Sequence, residues 1–187
     1  KTVRELRNED CIGFESIPQP KQTTMVTGSF GQTVTELDDL INAVTTFATT
    51  AAADIRRANL VSSAISVFLE TNRFSKEPQY SPSRSVELSP ATSNTKHIVR
   101  AAIHGLKEAY REGFKFKKAG VMLLDLVEAD NAPQSLFDRH DPKDDKLIEA
   151  FDQINRLQGP GAINFGTAGQ PSIWHAASAF RSPRYTT

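Results

Sequence analysis

An almost unbroken apolar run, AGVMLLDLV at residues 119–127, is the feature that most constrains how this chain folds. A continuous apolar run of this length is typical of a strand that lies inside a sheet, with neighbours on both edges. We therefore predict a central strand from Phe116 to Val127. A central strand requires partner strands, and the rest of the chain has to supply them.

Three further segments have the composition or alternation of strands. Residues 23–30 are rich in threonine and valine and precede a glycine. Residues 65–69 alternate aliphatic residues with serine and phenylalanine, as in a strand with one buried face. Residues 83–88 follow a polar stretch at 71–82 that contains two prolines, which predicts a long hairpin loop between the two strands.

Two segments have helical periodicity. Thr33 and Glu36 have the spacing of a capping box, and the apolar residues after them recur at helical intervals until Asn59. A second helix, capped by Asn94 or Ser93, is predicted to run to Glu112, with Gly113 as its stop. The order is then strand, helix, strand, strand, helix, strand. It predicts an α+β fold, with a four-stranded sheet and both helices on one face.

The last part of the chain has a different character. Residues 130–145 are acidic and polar, and an amphipathic helix is predicted from Lys146 to Gly159. A short strand is expected at 162–165 and a short helix at 172–180, which would give a small α/β module. This module has too few apolar residues for a core of its own, so we expect it to pack on another surface.

Two helices on one face of the sheet leave the other face uncovered. The side chains predicted to point there are small or polar, and basic residues border them. Such a surface can lie along a phosphate backbone, although composition alone favours a simply solvated face. The predicted face comprises Ser66, Glu70, Ser83, Ser85 and Glu87, and the bordering bases are Arg73, Lys76, Arg84, Lys115, Lys117 and Lys118.

No catalytic or metal-binding pattern emerges. The four histidines lack zinc-like spacing, and the lone Cys11 leaves no cysteine pair. The glycine-rich run GPGAINFGTAGQ lacks the lysine of a phosphate-binding loop, and Asp125 has no evident carboxylate partner. No apolar stretch approaches the roughly 20 residues that span a bilayer. With 22 basic and 22 acidic residues, net charge does not indicate a partner. We expect a cytoplasmic protein without a membrane partner.

Several strings resemble one known family. KKAGVMLLDL after EGFKF, SFGQTVTELDDL, ISVFLETNRF, SLFD and SPRYTT are similar to the C-terminal part of the UmuC family, the catalytic subunits of bacterial DNA polymerase V. These are Y-family translesion polymerases, and the resemblance covers essentially the whole chain. It implies a tether from the thumb at 1–22, the little finger domain at 23–129, a linker at 130–145 and a UmuC-specific C-terminal module at 146–187.

The resemblance also implies a function. The parent protein would perform error-prone translesion synthesis in the SOS response, with Mg²⁺ bound in a palm domain upstream of this chain, which begins at Lys1 rather than methionine. The chain itself would be non-catalytic, without a cofactor, and would bind primer-template duplex through phosphates, with Ser29 joining the surface described above. Relatives often carry arginine at the position of Gly28, so one phosphate contact is not expected here.

Partner proteins follow from the same resemblance. Relatives carry a sliding-clamp motif, typically Q-x-x-L-F, and here Gln134, Leu136 and Phe137 match it with the glutamine one place late. Contacts with the UmuD′ dimer and RecA are implied without assigned residues. Two other interpretations stay open: a protein-binding adaptor that never contacts DNA, and a small independent enzyme.

Overall fold

A four-stranded antiparallel sheet with two long helices on one face forms the centre of the molecule. The computed structural model describes residues 1–9, 11, 20–132, 142–159 and 161–168. In chain order its elements are α1 (Thr2–Glu5), β1 (Thr24–Val34), α2 (Leu37–Arg57), β2 (Leu60–Thr71), β3 (Ser83–Thr92), α3 (Thr95–Ala109), β4 (Phe116–Glu128) and α4 (Pro142–Gln158), with 3₁₀ turns at Ala129–Asn131 and Gly166–Ala168.

The strand order is β1-β4-β2-β3, so the apolar run of β4 lies inside the sheet as predicted. Leu123 pairs with Ile65 of β2 and with Thr24 of β1, which places Leu123 and Ile65 on the same face. Both are fully buried beneath the helices. The predicted strand and helix order, and the placement of both helices on one face, are confirmed.

The helices pack on the sheet through the stripes that the sequence indicates. The buried side of α2 is continuous, and the helix ends just before Asn59, which adopts a left-handed backbone with φ of +55°. The Asn94 side chain caps α3 by accepting a hydrogen bond from the Lys96 amide at 3.0 Å. Buried residues on the two stripes include Leu40, Val44, Phe47, Ala48, Ala51 and Ile55 of α2 and Ile98, Ala102, Leu106 and Ala109 of α3.

The predicted capping box is wrong. Strand β1 continues past Gly31 to Val34, and α2 begins at Leu37 with Glu36 in the capping position and without a side-chain cap. Val34 pairs with Phe116 after a register shift in β1, and both residues are buried. Burial of Val34 against β4 extends the strand through the position where local spacing favours a helix start.

The predicted end of α3 at Glu112 is also wrong, because the helix ends at Ala109. Tyr110 leaves the helix with extended backbone, and its ring centroid lies 6.2 Å from that of Phe116. Its hydroxyl donates to the Thr35 carbonyl at 2.9 Å. These contacts with β4 and with the start of α2 are available only outside the helix. Gly113 then occupies a turn with φ of +89°.

Helix α4 is joined to α2 and α3 by the ion pairs Arg56–Asp152 and Lys96–Asp144, so the described part of the C-terminal module docks on the helices. It begins four residues before Lys146 and ends before Gly159, whose φ is +104°. The strand expected at 162–165 is not formed, which corrects that prediction. The Asn155 side chain bonds both the amide and the carbonyl of Ile163, at 3.0 and 3.1 Å, and so occupies groups that a sheet partner would need. The helix expected at 172–180 lies outside the described residues.

Candidate nucleic-acid interface

The sheet face opposite the helices is open, and residue pairing shows which side chains share it. One row across the strands contains Met25, Met122, Ser66 and Ser85. The next row contains Thr27, Gly120, Phe68 and Ser83, and the third contains Ser29, Lys118 and Glu70. Glu87 lies in a further row, opposite Ala64. The structure therefore brings all five predicted face residues, and Ser29, onto one surface.

The middle of this face is more apolar than the sequence led us to expect. Met25 is 58% exposed, and Phe68 and Met122 are half-buried. The Phe68 ring lies across Gly120, where an added Cβ would stand 2.3 Å from Phe68 Cζ. Ser66 is buried and its hydroxyl is 3.0 Å from that of Ser83. Because side chains alternate between the two faces of a strand, the sequence could have placed Phe68 and both methionines on the open face.

The predicted bases gather at one end of the sheet. Strand β2 finishes there, and β3 and β4 begin there, because Phe68 pairs with both Ser83 and Gly120. Lys118 stands in the row nearest this end, with its ammonium 5.6 Å from the centre of the Phe68 ring. We define the basic end of the sheet as the strand and loop termini that carry Arg73, Lys76, Arg84, Lys115, Lys117 and Lys118.

The opposite end of the sheet carries acidic side chains. Asp125 is exposed near the end of β4 with φ of +50°, and Glu128 pairs with Leu60 at the start of β2. Asp130 follows in the 3₁₀ turn, where its carboxylate accepts a hydrogen bond from the Asn59 amide at 3.3 Å. These carboxylates lie at the end of the strands opposite the basic end.

Two of the predicted bases do not point at the open face. Lys117 lies at a bulge in β4, and its ammonium donates to the carbonyls of Phe30 and Gly31 in β1. Arg84 pairs with Val67, a core residue, so its side chain leaves the edge strand on the helix side. Lys117 therefore braces β1, and Arg84 borders the helices.

Two other bases are held in ion pairs. Lys115 pairs with Glu77 of the loop between β2 and β3, and Arg73 lies 3.8 Å from Glu70. These side chains are largely exposed, so the pairs contribute little energy and can exchange for other anions. Lys76 forms no ion pair within the described ranges. Lys76 and Lys118 can therefore meet an anionic ligand directly, and Arg73 and Lys115 can do so by exchanging their carboxylate partners.

Gly28 lies on the helix side of β1. A Cβ at this position would stand 2.7 Å from Phe47 Cζ, so the Phe47 ring packs directly on the backbone. A longer side chain at this position would collide with the core before reaching the open face. Gly28 therefore contributes no side chain to the open face of this sheet.

Within the described parts of the chain, no group of three or more histidine, cysteine, aspartate or glutamate side chains is arranged to hold a metal ion. We assign no metal and no catalytic residue to these parts. Among the helices that the structure describes, none combines the length and apolarity needed to cross a membrane. Gln134, Leu136 and Phe137, the predicted clamp-binding residues, lie outside the described residues.

Comparison with known proteins decides the family. Residues 21–136 match the impB/mucB/samB family C-terminal domain. The chain belongs to this family. Residues 145–187 match a second domain, described as a domain of unknown function (DUF4113). That match includes most of α4.

Curated members of the impB/mucB/samB family align with the whole chain. Protein UmuC of Salmonella typhimurium is 36% identical over 190 residues, and Protein SamB of the same organism is 35% identical. Protein MucB of Escherichia coli is 37% identical. The chain spans less than half of these relatives, 45% of UmuC and SamB and 44% of MucB.

The solved structures that this chain matches include an insertion ternary complex of Dbh DNA polymerase, with a TM-score of 0.44 and 11% identity. This match covers 67% of this chain and 34% of that chain. A complex of the beta-clamp processivity factor and the little finger domain of PolIV gives a TM-score of 0.41 and 10% identity, over 63% of this chain and 95% of that chain. Likeness at this level does not inform the function of this chain.

Proposed function

We propose that this chain is the DNA-binding, non-catalytic C-terminal part of an error-prone translesion DNA polymerase. It would hold primer-template duplex through backbone phosphates at the basic end of the sheet. Membership of the impB/mucB/samB family and the resemblance to UmuC proteins support this function. The single observation that carries it is the convergence of Arg73, Lys76, Lys115 and Lys118 at one end of an uncovered sheet.

The geometry suits phosphate contacts better than base reading. Lys118 extends from a strand next to Ser29, whose small side chain allows a backbone close to the sheet. Arg73 and Lys76 extend from a loop beside that strand end. Contacts of this kind position a duplex without reading its sequence. Glu87, on the same face but in a row away from the basic end, disfavours phosphates there, whereas Glu70 stands beside Lys118 and 3.8 Å from Arg73.

Catalysis belongs, in this proposal, to a palm domain of the parent protein, where Mg²⁺ would bind. The described residues offer no cluster suited to that ion. In this proposal the chain alone incorporates no nucleotide, and its contribution to synthesis is to hold the duplex.

Clamp docking is the second part of the proposed function, and it rests on sequence. Leu136 and Phe137 are adjacent large apolar residues in an acidic, proline-containing stretch. Such a pair can anchor a segment in a hydrophobic pocket of a sliding clamp, with Gln134 beside it. Association of the parent protein with the UmuD′ dimer and RecA is proposed from the family resemblance alone.

A protein-binding adaptor is the alternative that the apolar stripe of Met25, Phe68 and Met122 favours. Fluorescence anisotropy with a labelled 20-base-pair duplex separates the two functions. We expect binding at 50 mM salt, similar for unrelated sequences, which weakens steeply by 200 mM. Absence of binding at 50 mM salt contradicts the DNA-binding function and favours the adaptor.

A further inference from the structure

One aromatic side chain at the basic end is almost completely exposed. Phe74 lies in the loop between β2 and β3 and is 91% exposed, more than any other large apolar side chain in the described residues. Single exposed apolar residues are common on protein surfaces. The surroundings of Phe74 distinguish it from such residues in two respects, the order of its loop and the charge beside it.

The loop is held from within by Gln79. The Gln79 amide nitrogen lies 3.0, 3.2 and 2.9 Å from the carbonyl oxygens of Asn72, Ser75 and Glu77. Its amide oxygen accepts a hydrogen bond from the Thr71 hydroxyl at 2.9 Å. One side chain thus fixes both arms of the loop, which limits the conformational entropy lost when the loop binds a ligand.

The backbone that carries Phe74 is fixed as well. The Phe74 amide donates to the Asn72 side chain at 3.1 Å, and the Ser75 amide donates to the Asn72 carbonyl at 2.9 Å. The ion pair between Glu77 and Lys115 joins the loop to the approach to β4. The ring is therefore presented outward by an ordered support, although no described residue covers it.

Positive charge flanks the ring. Arg73 precedes it and Lys76 follows two residues later, while Lys118 stands at the neighbouring strand end. An exposed aromatic ring among bases is the combination by which proteins hold single-stranded nucleic acid, because bases stack on the ring and cations neutralise the phosphates. If the Phe74 ring instead inserted into an apolar pocket of a partner protein, basic residues beside it would not be needed.

We propose that Phe74 stacks on an unpaired base of bound DNA, so that the loop at residues 72–79 is a binding site for the single-stranded part of a primer-template. This inference rests on the proposed function, because the basic end must first bind the duplex. It adds a contact with the bases to contacts with phosphates. Gln79 is a positioning residue, since it supports the ring without touching the DNA.

The test compares two DNA probes with the 187-residue chain. One is a blunt duplex, and the other is the same duplex with a 12-nucleotide single-stranded extension. We expect Phe74→Ala to weaken binding of the extended probe by about 5- to 150-fold and to leave the blunt duplex unchanged. Phe74→Trp should bind the extended probe at least as well as the parent, whereas Phe74→Leu should behave like alanine.

Two further variants complete the design. Gln79→Ala should weaken binding of the extended probe with the ring still present. Leu147→Ala, a truncation of an exposed apolar residue on α4, should change neither affinity. A 2-aminopurine base in the extension reports stacking directly, and its fluorescence should change with the parent and with Phe74→Trp but not with Phe74→Ala.

The outcomes separate this inference from the proposed function. If the parent binds neither probe at 50 mM salt, both are wrong. If the parent binds both probes and Phe74→Ala binds them equally well, stacking is overturned while phosphate binding stands, and the ring is then a contact for a protein. If Phe74→Leu binds the extended probe as tightly as the parent, stacking is also overturned, because an aliphatic side chain would then support binding as well as an aromatic ring.

Discussion

Arg56 at the end of α2 and Asp152 in α4 form a bidentate ion pair, with Nε to Oδ2 at 2.8 Å and Nη2 to Oδ1 at 2.7 Å. The other terminal nitrogen of Arg56 donates to the Ser93 carbonyl and the Thr95 hydroxyl, both at 2.7 Å. The Arg56 side chain is only 16% exposed. One guanidinium therefore joins α2, the start of α3 and α4, and it holds α4 on the helices, away from the open sheet face.

Loss of this pair should release α4. A double-mutant cycle with Arg56→Ala and Asp152→Ala should give a coupling energy of about 1 to 3 kcal/mol in urea unfolding, because the pair is partly buried and bidentate. Hydrogen exchange of the α4 amides should accelerate in each variant. The control is Arg57→Ala, whose partner Asp54 is exposed and whose cost should be about 0.5 kcal/mol or less. Unchanged exchange in α4 would show that other contacts hold the helix.

Gly120 should tolerate no side chain while Phe68 is present. A Cβ there would stand 2.3 Å from Phe68 Cζ and 2.6 Å from Thr27 Cγ2, so Gly120→Ala should lower the free energy of unfolding by about 1 to 3 kcal/mol. The penalty should be smaller in a Phe68→Ala background, where the ring is gone. Gly166→Ala, at a position with open space around it, is the matched control. An equal penalty in both backgrounds contradicts the ring contact.

Tyr110 should stabilise the fold less at high pH. Burial, followed by the charges of Glu36 and Glu112, raises the pKa of the Tyr110 phenol above its ordinary value of 10.0. The neutral form is favoured in the folded state, so this stabilisation is complete below the ordinary pKa and is lost as pH rises through the folded-state pKa. The stability difference between the parent and Tyr110→Phe, measured by urea unfolding from pH 8 upward, should decrease above about pH 10. A constant difference would contradict the shift.

Clamp binding should depend on Leu136 and Phe137. Replacement of both by alanine should weaken binding to a bacterial sliding clamp by about 30- to 1000-fold, through loss of buried apolar contact, with little change in melting temperature. Pro133→Gln, which restores glutamine to its usual place in the motif, should strengthen binding. Leu147→Ala serves as the control for loss of an exposed apolar residue. Clamp affinity equal to the parent, or a large drop in melting temperature, would contradict the anchor role.

The sheet and its helices are readable from sequence because each element has its own periodicity. The central β4, the buried stripe of α2 and the stop at Asn59 all follow from local pattern. The extension of β1 to Val34 and the early end of α3 do not, because both depend on contacts with Phe116, which is distant in the chain.

The sequence predicts which residue types the candidate site contains but not how they are arranged. The bases could be named from sequence, but their convergence at one end depends on strand directions and register. Lys117 points to β1 because of a bulge, which no spacing in the sequence reveals. Alternation along β2 places Phe68 on the open face. Gly120, its partner in β4, has no side chain, so the Phe68 ring can lie flat across the sheet.

The salt dependence of duplex binding tests the central claim, that the basic end of the sheet contacts phosphates, most directly. Each lost phosphate contact lowers the magnitude of the slope of log affinity against log salt concentration by about 0.9, so Lys76→Gln with Lys118→Gln should lower that magnitude by about 1.8. Arg100→Gln with Lys107→Gln removes the same charge from the exposed side of α3 and should leave the slope unchanged. Equal slopes for the two double variants would contradict the claim.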